Sequence, residues 1–323
     1  MKLFKLSLAT LALAAASSAF AQSYPERAIT LVVPYTAGGP TDVVARSLGA
    51  EIGKVLNQTI VIENKTGAGG TIAPTYVASA KPDGYTFLIH HNGMATATAL
   101  YDNLKYDSVE GFEHVGEVVD VPMTLLGRAD FPPNDFKEFV DYTKKHAAEI
   151  NLANAGKGAV SQLCGSMLQH ALGLEFTTVP FQGAGPAMSA LLAKQVDVLC
   201  DQTTGTIPQI EGKTVKLYGV TTLSRIQKLP NAPTLDEQGL KGFEVKVWHG
   251  IYAPKGTPKE VIATFNSALK QAAKSEAFKS KMAELGAEIV SEDRMTPESH
   301  KAWVKSEIAK WTPVLKTEGM NTN

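Results

Sequence analysis

The chain has 323 residues, with 31 Lys and Arg against 32 Asp and Glu, a formal charge of −1, and 44% apolar side chains. So even a balance offers no basic field for nucleic acid or an anionic membrane surface. The apolar fraction is that of an ordinary globular protein and excludes a disordered chain.

In chain order, the first 21 residues read as an export signal. Lys2 and Lys5 supply the positive start, LSLATLALAAA the apolar stretch, and Ala19-Phe20-Ala21 an A-x-A cleavage site. The apolar run is short for a bilayer span, and no Cys follows the cleavage site to carry a lipid, the first being Cys164. Removing 21 of 323 residues leaves 302, with 29 basic against 32 acidic groups, or −3. That length suits two lobes, and the location implied is a bacterial periplasm.

Strand-like runs rich in β-branched residues follow at 28–35, 59–64, 85–91, 150–155, 177–182, 196–202, 216–222 and 244–254. Helical periodicity fits 41–56, 72–80, 136–146, 161–172, 186–194, 258–274, 276–285 and 297–318. The alternation predicts an α/β fold with largely parallel sheets. The last helix, with Trp303, Ile308, Trp311 and Val314, reads as a packing strap.

Four strand-to-helix junctions share a glycine-rich design: Ala37-Gly-Gly-Pro-Thr-Asp42, Gly67-Ala-Gly-Gly-Thr71, Asn154-Ala-Gly-Lys-Gly-Ala159 and Gln182-Gly-Ala-Gly-Pro186. A helix start carries unpaired N–H groups and partial positive charge, so such a turn can seat an anion without a cationic side chain. One such junction would be read as a mere turn; four in matching places favour binding. Two fall in the first third and two in the middle third, which predicts two similar lobes, 22–122 with 223–323 and 123–222, facing across a cleft. The stretch 118–126, VVDVPMTLL, falls at that boundary and is read as cleft or hinge. Open α/β sheets bind ligands at the carboxyl ends of their strands.

Other chemistries lack their patterns. Neither GAGGTI nor GKGAVS completes a dinucleotide fingerprint, and no phosphate-loop motif is present. His90 and His91 are adjacent on a strand and point to opposite faces, so they cannot chelate one ion; one should face the cleft. With no H-x-x-x-H pair, no metal is expected, nor any cofactor. No G-x-S-x-G elbow occurs; Ser161 reads as the cap of SQLCGSMLQHAL, and an exported hydrolase using Ser161 or Cys164 with His91 is the remote alternative. Asp42 reads as helix-start chemistry, stabilising backbone donors by about 1 kcal/mol, and Thr41 as a cap or a ligand contact. Lys157 is the one cation in a candidate loop and faces either solvent or a second carboxylate. For Cys164 and Cys200, an even count in an exported chain favours a disulfide, with two buried free thiols as the alternative.

The segments YPERAITLVVPYTAGGPTDVVAR, IVIENKTGAGGTIAPTYVASAKPDGYTFL, TVPFQGAGPAMSALLAKQVDVLCDQT and WHGIYAPKGTPKEVIATFNSALKQA occur in this order. Together they resemble the Bug-type extracytoplasmic solute receptors of tripartite tricarboxylate transporters, over essentially the whole chain after the signal. The resemblance implies a two-lobe periplasmic binding fold that closes over a small organic acid and holds one carboxylate with main-chain amides and ordered waters. It assigns ligand contacts to Tyr35, Thr36, Ala37, Gly38, Gly39 and Thr41, to the Gly67–Gly70 loop including Gly69, and to His91 and Asn92. In the middle lobe it assigns Gly158, Ser161, Gln182, Gly183, Asp201 and Gln202, with Thr203. It implies a monomer that is not an enzyme and delivers its ligand to membrane permease subunits, with sensing for a membrane signalling partner as the alternative. Ile72-Ala73, HHNG and CDQTTG depart from the common pattern, which leaves the identity of the acid open.

Overall fold

The computed structural model describes residues 24–317; the expected signal segment lies outside them. In the first lobe, β1 (Ile29–Val33) leads into α1 (Pro40–Leu56), then β2 (Ile60–Asn64), α2 (Ile72–Ala78), β3 (Thr86–His91) and α3 (Gly93–Leu100). The long β4 (Phe112–Arg128) leads to α4 (Phe136–His146), β5 (Asn151–Asn154), α5 (Val160–Leu172), β6 (Thr177–Pro180), α6 (Ala184–Leu192), β7 (Val198–Gln202), α7 (Thr203–Glu211) and β8 (Val215–Val220). The chain then returns through β9 (Lys246–Pro254), α8 (Lys259–Lys274), α9 (Glu276–Glu284), β10 (Glu288–Ile289) and α10 (Pro297–Thr317).

The strands run β2-β1-β3-β9-β4-β7-β5-β6, with β8 and β10 also on β4. β1 lies parallel to β2 and β3, and β5 parallel to β6 and β7. Strands buried on both faces need continuous apolar runs, and Ile29, Leu31, Val32 and Val33 are fully buried. Around the centre the pairing is antiparallel, β3 with β9, β9 with β4, and β4 with β7 and β8. The sheets are therefore mixed, with their parallel parts on the outside.

β4 joins the lobes. Its Phe112–Pro122 stretch pairs with β9 and its Met123–Arg128 stretch with β7 and β8. Sequence periodicity does not reveal this strand, because Gly116 and Pro122 and the buried Glu117 interrupt the apolar run. The ladder absorbs them through register shifts after His114 and after Glu117, as bulges do. Arg294 pins the same strand, donating to Glu117 at 2.8 Å and to both Asp120 oxygens at 2.7 and 3.0 Å.

The segment after β8, expected to rejoin the first lobe at 223, stays with the second lobe until residue 245. Leu235 donates to Val220, Gln238 to Tyr218, and the Thr221 hydroxyl to Val245. Leu235 and Phe243 are buried, so apolar burial keeps this stretch on β8.

One buried cluster runs through both lobes, from Leu31 and Val33 of β1 to Phe139 of α4 and Leu152 of β5. On the other face of the first lobe, Leu88, Trp248 and Tyr252 pack against Val304 of α10. Further along, Trp311 and Leu315 of α10 pack with Leu100 of α3 and Leu163 of α5. The strap thus reaches both lobes. Cys164 and Cys200 are bonded to each other, with α-carbons 6.1 Å apart, and tie the first turns of α5 to the end of β7.

Candidate functional site

Strand ends and helix starts from both lobes meet between them. Tyr35, Pro40 and Thr41 come from the β1–α1 turn, His91 from the end of β3, and Ala155, Ala159, Val160 and Ser161 from the β5–α5 turn. Ala184 opens α6, and Asp201 and Gln202 end β7. Together they wall a tight cavity of about 300 Å³ counting open solvent, of which about 20 Å³ admits the centre of a water-sized sphere. A second cavity of about 610 Å³, counting solvent at its mouth, shares Tyr35 and Ala155 and reaches Gly67–Gly70, Lys157 and Gln182. A larger cleft, about 1200 Å³, lies between α5, residues 239–243 and α10. It gathers no strand ends, so we place the site at the smaller, convergent cavity.

Asp42 organises the first turn. Its Oδ2 accepts the Gly38 N–H at 2.8 Å and Arg46 Nε at 2.7 Å, and its Oδ1 accepts Asn64 Nδ2 at 2.9 Å. Burial pushes this carboxyl up, but the bonds from Arg46, Gly38 and Asn64 outweigh it and hold it below the usual range. The Gly38 amide is therefore taken, and the Gly39 amide donates to Thr36 at 3.2 Å. These two amides shape the turn and do not face the cavity; Ala37 and Gly38 are exposed. The donors that remain are those of the first turn of α1, at Thr41 and Asp42, where no intrahelical acceptor exists.

Thr41 is not the cap of α1, which is Gly39. Its hydroxyl lies 3.2 Å from His249 Nε2. Ser161 is likewise not the cap of α5, which is Ala159; its Oγ accepts the Ala155 N–H at 2.8 Å and braces the β5–α5 turn.

His91 is buried, and its ring stacks on Tyr35 with centroids 4.9 Å apart. Its Nδ1 accepts the Gly93 N–H at 3.0 Å, which leaves Nε2 as the protonated nitrogen. Burial, helped by His90 and His249, pushes it well below the usual histidine range, so it is neutral at pH 7. His90 lies behind it, with Nδ1 accepting from His91 and Nε2 3.1 Å from the Gly70 carbonyl.

Asn92 is misplaced by the family pattern. One residue on from His91, it turns the other way, accepting the Trp248 N–H at 3.2 Å and donating to Lys246 and Glu307. It fastens β3 to β9 and α10 and does not line the cavity.

Gly158 and Gly69 join the lobes. The Gly158 amide donates to Gln162 Oε1 at 2.7 Å, and its carbonyl accepts the Thr96 hydroxyl at 3.3 Å. Tyr101 donates to the Lys157 carbonyl at 3.1 Å. A β-carbon on Gly69, whose φ is +62°, would collide with that same carbonyl. Gln182 borders the outer cavity, and Gly183 abuts Thr36. The loops of the two lobes touch, as they would in a closed receptor.

The sequence marks the junction from Asn154 to Ala159 as a binding turn without singling out its alanines, whereas sequence patterns give no hint of His249. His249 lies opposite His91 in the β3–β9 ladder, a relation visible only once the sheet forms. The alanines are small residues where the wall must come close.

Among the described residues no Lys or Arg lines the inner cavity, and no His, Cys, Asp and Glu cluster is fit to hold a metal ion. Buried polar atoms without a protein partner include Thr36 Oγ1, Asn154 Nδ2, Gln202 Oε1 and Thr204 Oγ1. Burying such groups unpaired costs free energy, and a polar guest between the lobes would recover it.

Two lobes sharing a central strand, with a cavity at the carboxyl ends of both sheets, define a periplasmic-binding-protein fold. Residues 44–320 match the tripartite tricarboxylate transporter family receptor, TctC, and the chain belongs to that family. A protein from the TAR-I ttuE-ttuC′ intergenic region of Agrobacterium vitis is 44% identical over 297 residues, covering 92% of this chain and 86% of its own. The solved periplasmic binding protein BugD is 50% identical with TM-score 0.91, over 93% of this chain and all of its own. MatC from Rhodopseudomonas palustris, solved with bound malate, is 40% identical with TM-score 0.87, over 90% of this chain and all of its own. The family and these neighbours are substrate-binding receptors.

Proposed function

We propose that this protein captures a small organic dicarboxylate in the periplasm and hands it, in the closed form, to the permease subunits of a tripartite tricarboxylate transporter. One observation carries the reading: the cavity is walled by helix starts from both lobes and, among the described residues, by no cationic side chain. A carboxylate buried there without partners would cost several kcal/mol. First-turn amides of α1, α5, α6 and α7 offset that cost, with the His91 Nε2 proton and bridging waters. The ligand meets one set of amides in the open form and the other on closure, and this differential affinity shifts the population. The malate held by MatC, a 40% identical neighbour, is a dicarboxylate of this class and supports the reading.

On this reading Tyr35, Thr41, His91, Ser161, Asp201 and Gln202 contact the ligand. Thr36, Gly69, Gly158 and Gly183 serve closure, and Gln182 and Lys157 the outer mouth. The lobes divide at Pro122 and Met123 on β4. The chain acts as a monomer, reaches the periplasm by a cleaved leader over residues 1–21, and performs no catalysis. Titration calorimetry against mono- and dicarboxylates tests this; absence of binding by any of them would refute it.

A further inference from the structure

Asp201 is a carboxyl group buried where an anion is expected. It lines the inner cavity at 3% exposure. Its Oδ1 accepts the Gln202 N–H at 2.8 Å, and its Oδ2 has no partner among the described residues. Oδ2 points toward Gly205 in the first turn of α7, 3.9 Å from where a β-carbon there would sit, close to Pro40 of α1.

The groups facing it come from every element around it. The β1–α1 turn brings Tyr35 and Thr41, β3 the neutral His91, and the β5–α5 turn Ser161. β4 brings Thr124, whose hydroxyl donates to the Asp201 carbonyl at 3.2 Å and lies 2.9 Å from the Thr206 hydroxyl. None of these is a cation. On the first lobe, Arg46 is already held by Asp42. A dicarboxylate entering here would therefore place its charge beside an ionised Asp201 with nothing of opposite sign to compensate.

We propose, resting on the receptor reading above, that Asp201 binds the ligand as the neutral carboxylic acid, its Oδ2–H donating to a ligand carboxylate, so that above neutral pH capture takes up one proton from solvent. The proton adds to Oδ2 from a solvent hydronium or buffer acid, and no other bond changes. Burial already pushes the Asp201 carboxyl up to about 7, opposed by the Gln202 N–H. A ligand anion at Oδ2 raises it further. Below that value the group is already protonated and binding is independent of pH; above it, affinity falls as pH rises. Gln202 Oε1, also unpartnered, remains to accept from a ligand hydroxyl.

The test is calorimetric titration of the full mature protein with malate and succinate from about pH 6 to about pH 9, in buffers of different ionisation enthalpy. The proposal expects uptake approaching one proton above neutrality and a Kd that rises toward tenfold per pH unit there. Asp201→Asn should abolish the uptake and flatten the pH dependence to within about twofold. Carbon-13-labelled malate, read by NMR in the complex, should show both ligand carboxylates ionised throughout, an arm that stands even if the variant does not fold. Binding without proton uptake, uptake that persists in Asp201→Asn, or a protonated ligand carboxylate would overturn the proposal. So would aspartate binding more tightly as pH rises, because Asp201 would then be an anion pairing with its ammonium. Failure of every acid to bind at any pH would refute the receptor reading itself, and this inference with it.

Discussion

The hydroxyl of Thr36, in the first lobe, lies 2.7 Å from the point that a β-carbon on Gly183, in the second lobe, would occupy. The backbone at Gly183 is at φ +143° and that at Gly69 is at φ +62°, both in the region that favours glycine. Each glycine admits the opposite lobe. Gly69→Ala and Gly183→Ala should therefore weaken ligand binding by tenfold or more, with the backbone strain lowering unfolding stability by about 1–3 kcal/mol. Calorimetry with the best-binding acid and thermal unfolding separate the two effects.

Trp311 and Leu315 of α10 reach Leu163 of α5 on the other lobe. Removing that contact should favour the open form. Leu163→Ala should raise the ligand Kd several-fold, beyond what its lost packing does to stability, about 2–4 kcal/mol. Val304→Ala, whose contacts lie within the first lobe, should destabilise without changing Kd. Paired titrations and denaturant melts read both quantities.

The disulfide closes a loop of sequence separation 36, just inside Ser161 on one side and Asp201 on the other. The loop length corresponds to about 3–4 kcal/mol of stabilisation. Cys164→Ser with Cys200→Ser should lose that amount in chemical denaturation and also weaken binding, because α5 and β7 carry the second lobe's Ser161, Asp201 and Gln202 to the cavity wall.

Five histidines among the described residues are buried and neutral. Burial lowers His90 and His114 to about 4 and His249 to about 3, and pushes His91 and His300 well below the usual range. The unfolded chain, with ordinary histidines near 6.5, binds more protons than the folded one across that interval. Stability is therefore full above about pH 6.5 and is lost as pH falls toward about 4. His300 has no protein partner at either ring nitrogen and sits among His114, Trp248 and Tyr252. His300→Phe should keep the packing and flatten the acid limb of a melting-temperature profile; a limb as steep as before would show that another group carries it.

All eight strands and eight helices that periodicity predicts are present with ends shifted by a residue or two, because apolar runs and amphipathic spacing are local properties. The elements it misses share a cause. α3, GMATATAL, and α7, TTGTIPQIE, are rich in Thr and Gly, and α7 contains Pro208, a composition that reads as loop. β4 carries Gly, Pro and acid groups that only its neighbours satisfy. In each case tertiary packing outweighs local propensity.

The glycine turns illustrate the same division. Their spacing announces helix starts and two matched halves, and the repeated design already implies a cleft without cations. Which amides remain free does not follow from it, because Asp42 and Thr36 consume those of Gly38 and Gly39 through bonds made within the folded turn.

By itself the sequence determined most of the secondary elements, the two-lobe α/β class, the family, and the absence of a charged clamp motif, since these rest on residue types and periods along one chain. The tertiary structure alone decided that Asn92 turns away, that His249 backs His91, that α10 spans the lobes, and that Asp201 stands buried without a countercharge. Those facts depend on which strands pair and which loops approach, and solvent exclusion and proximity across the cleft are set by residues far apart in the chain.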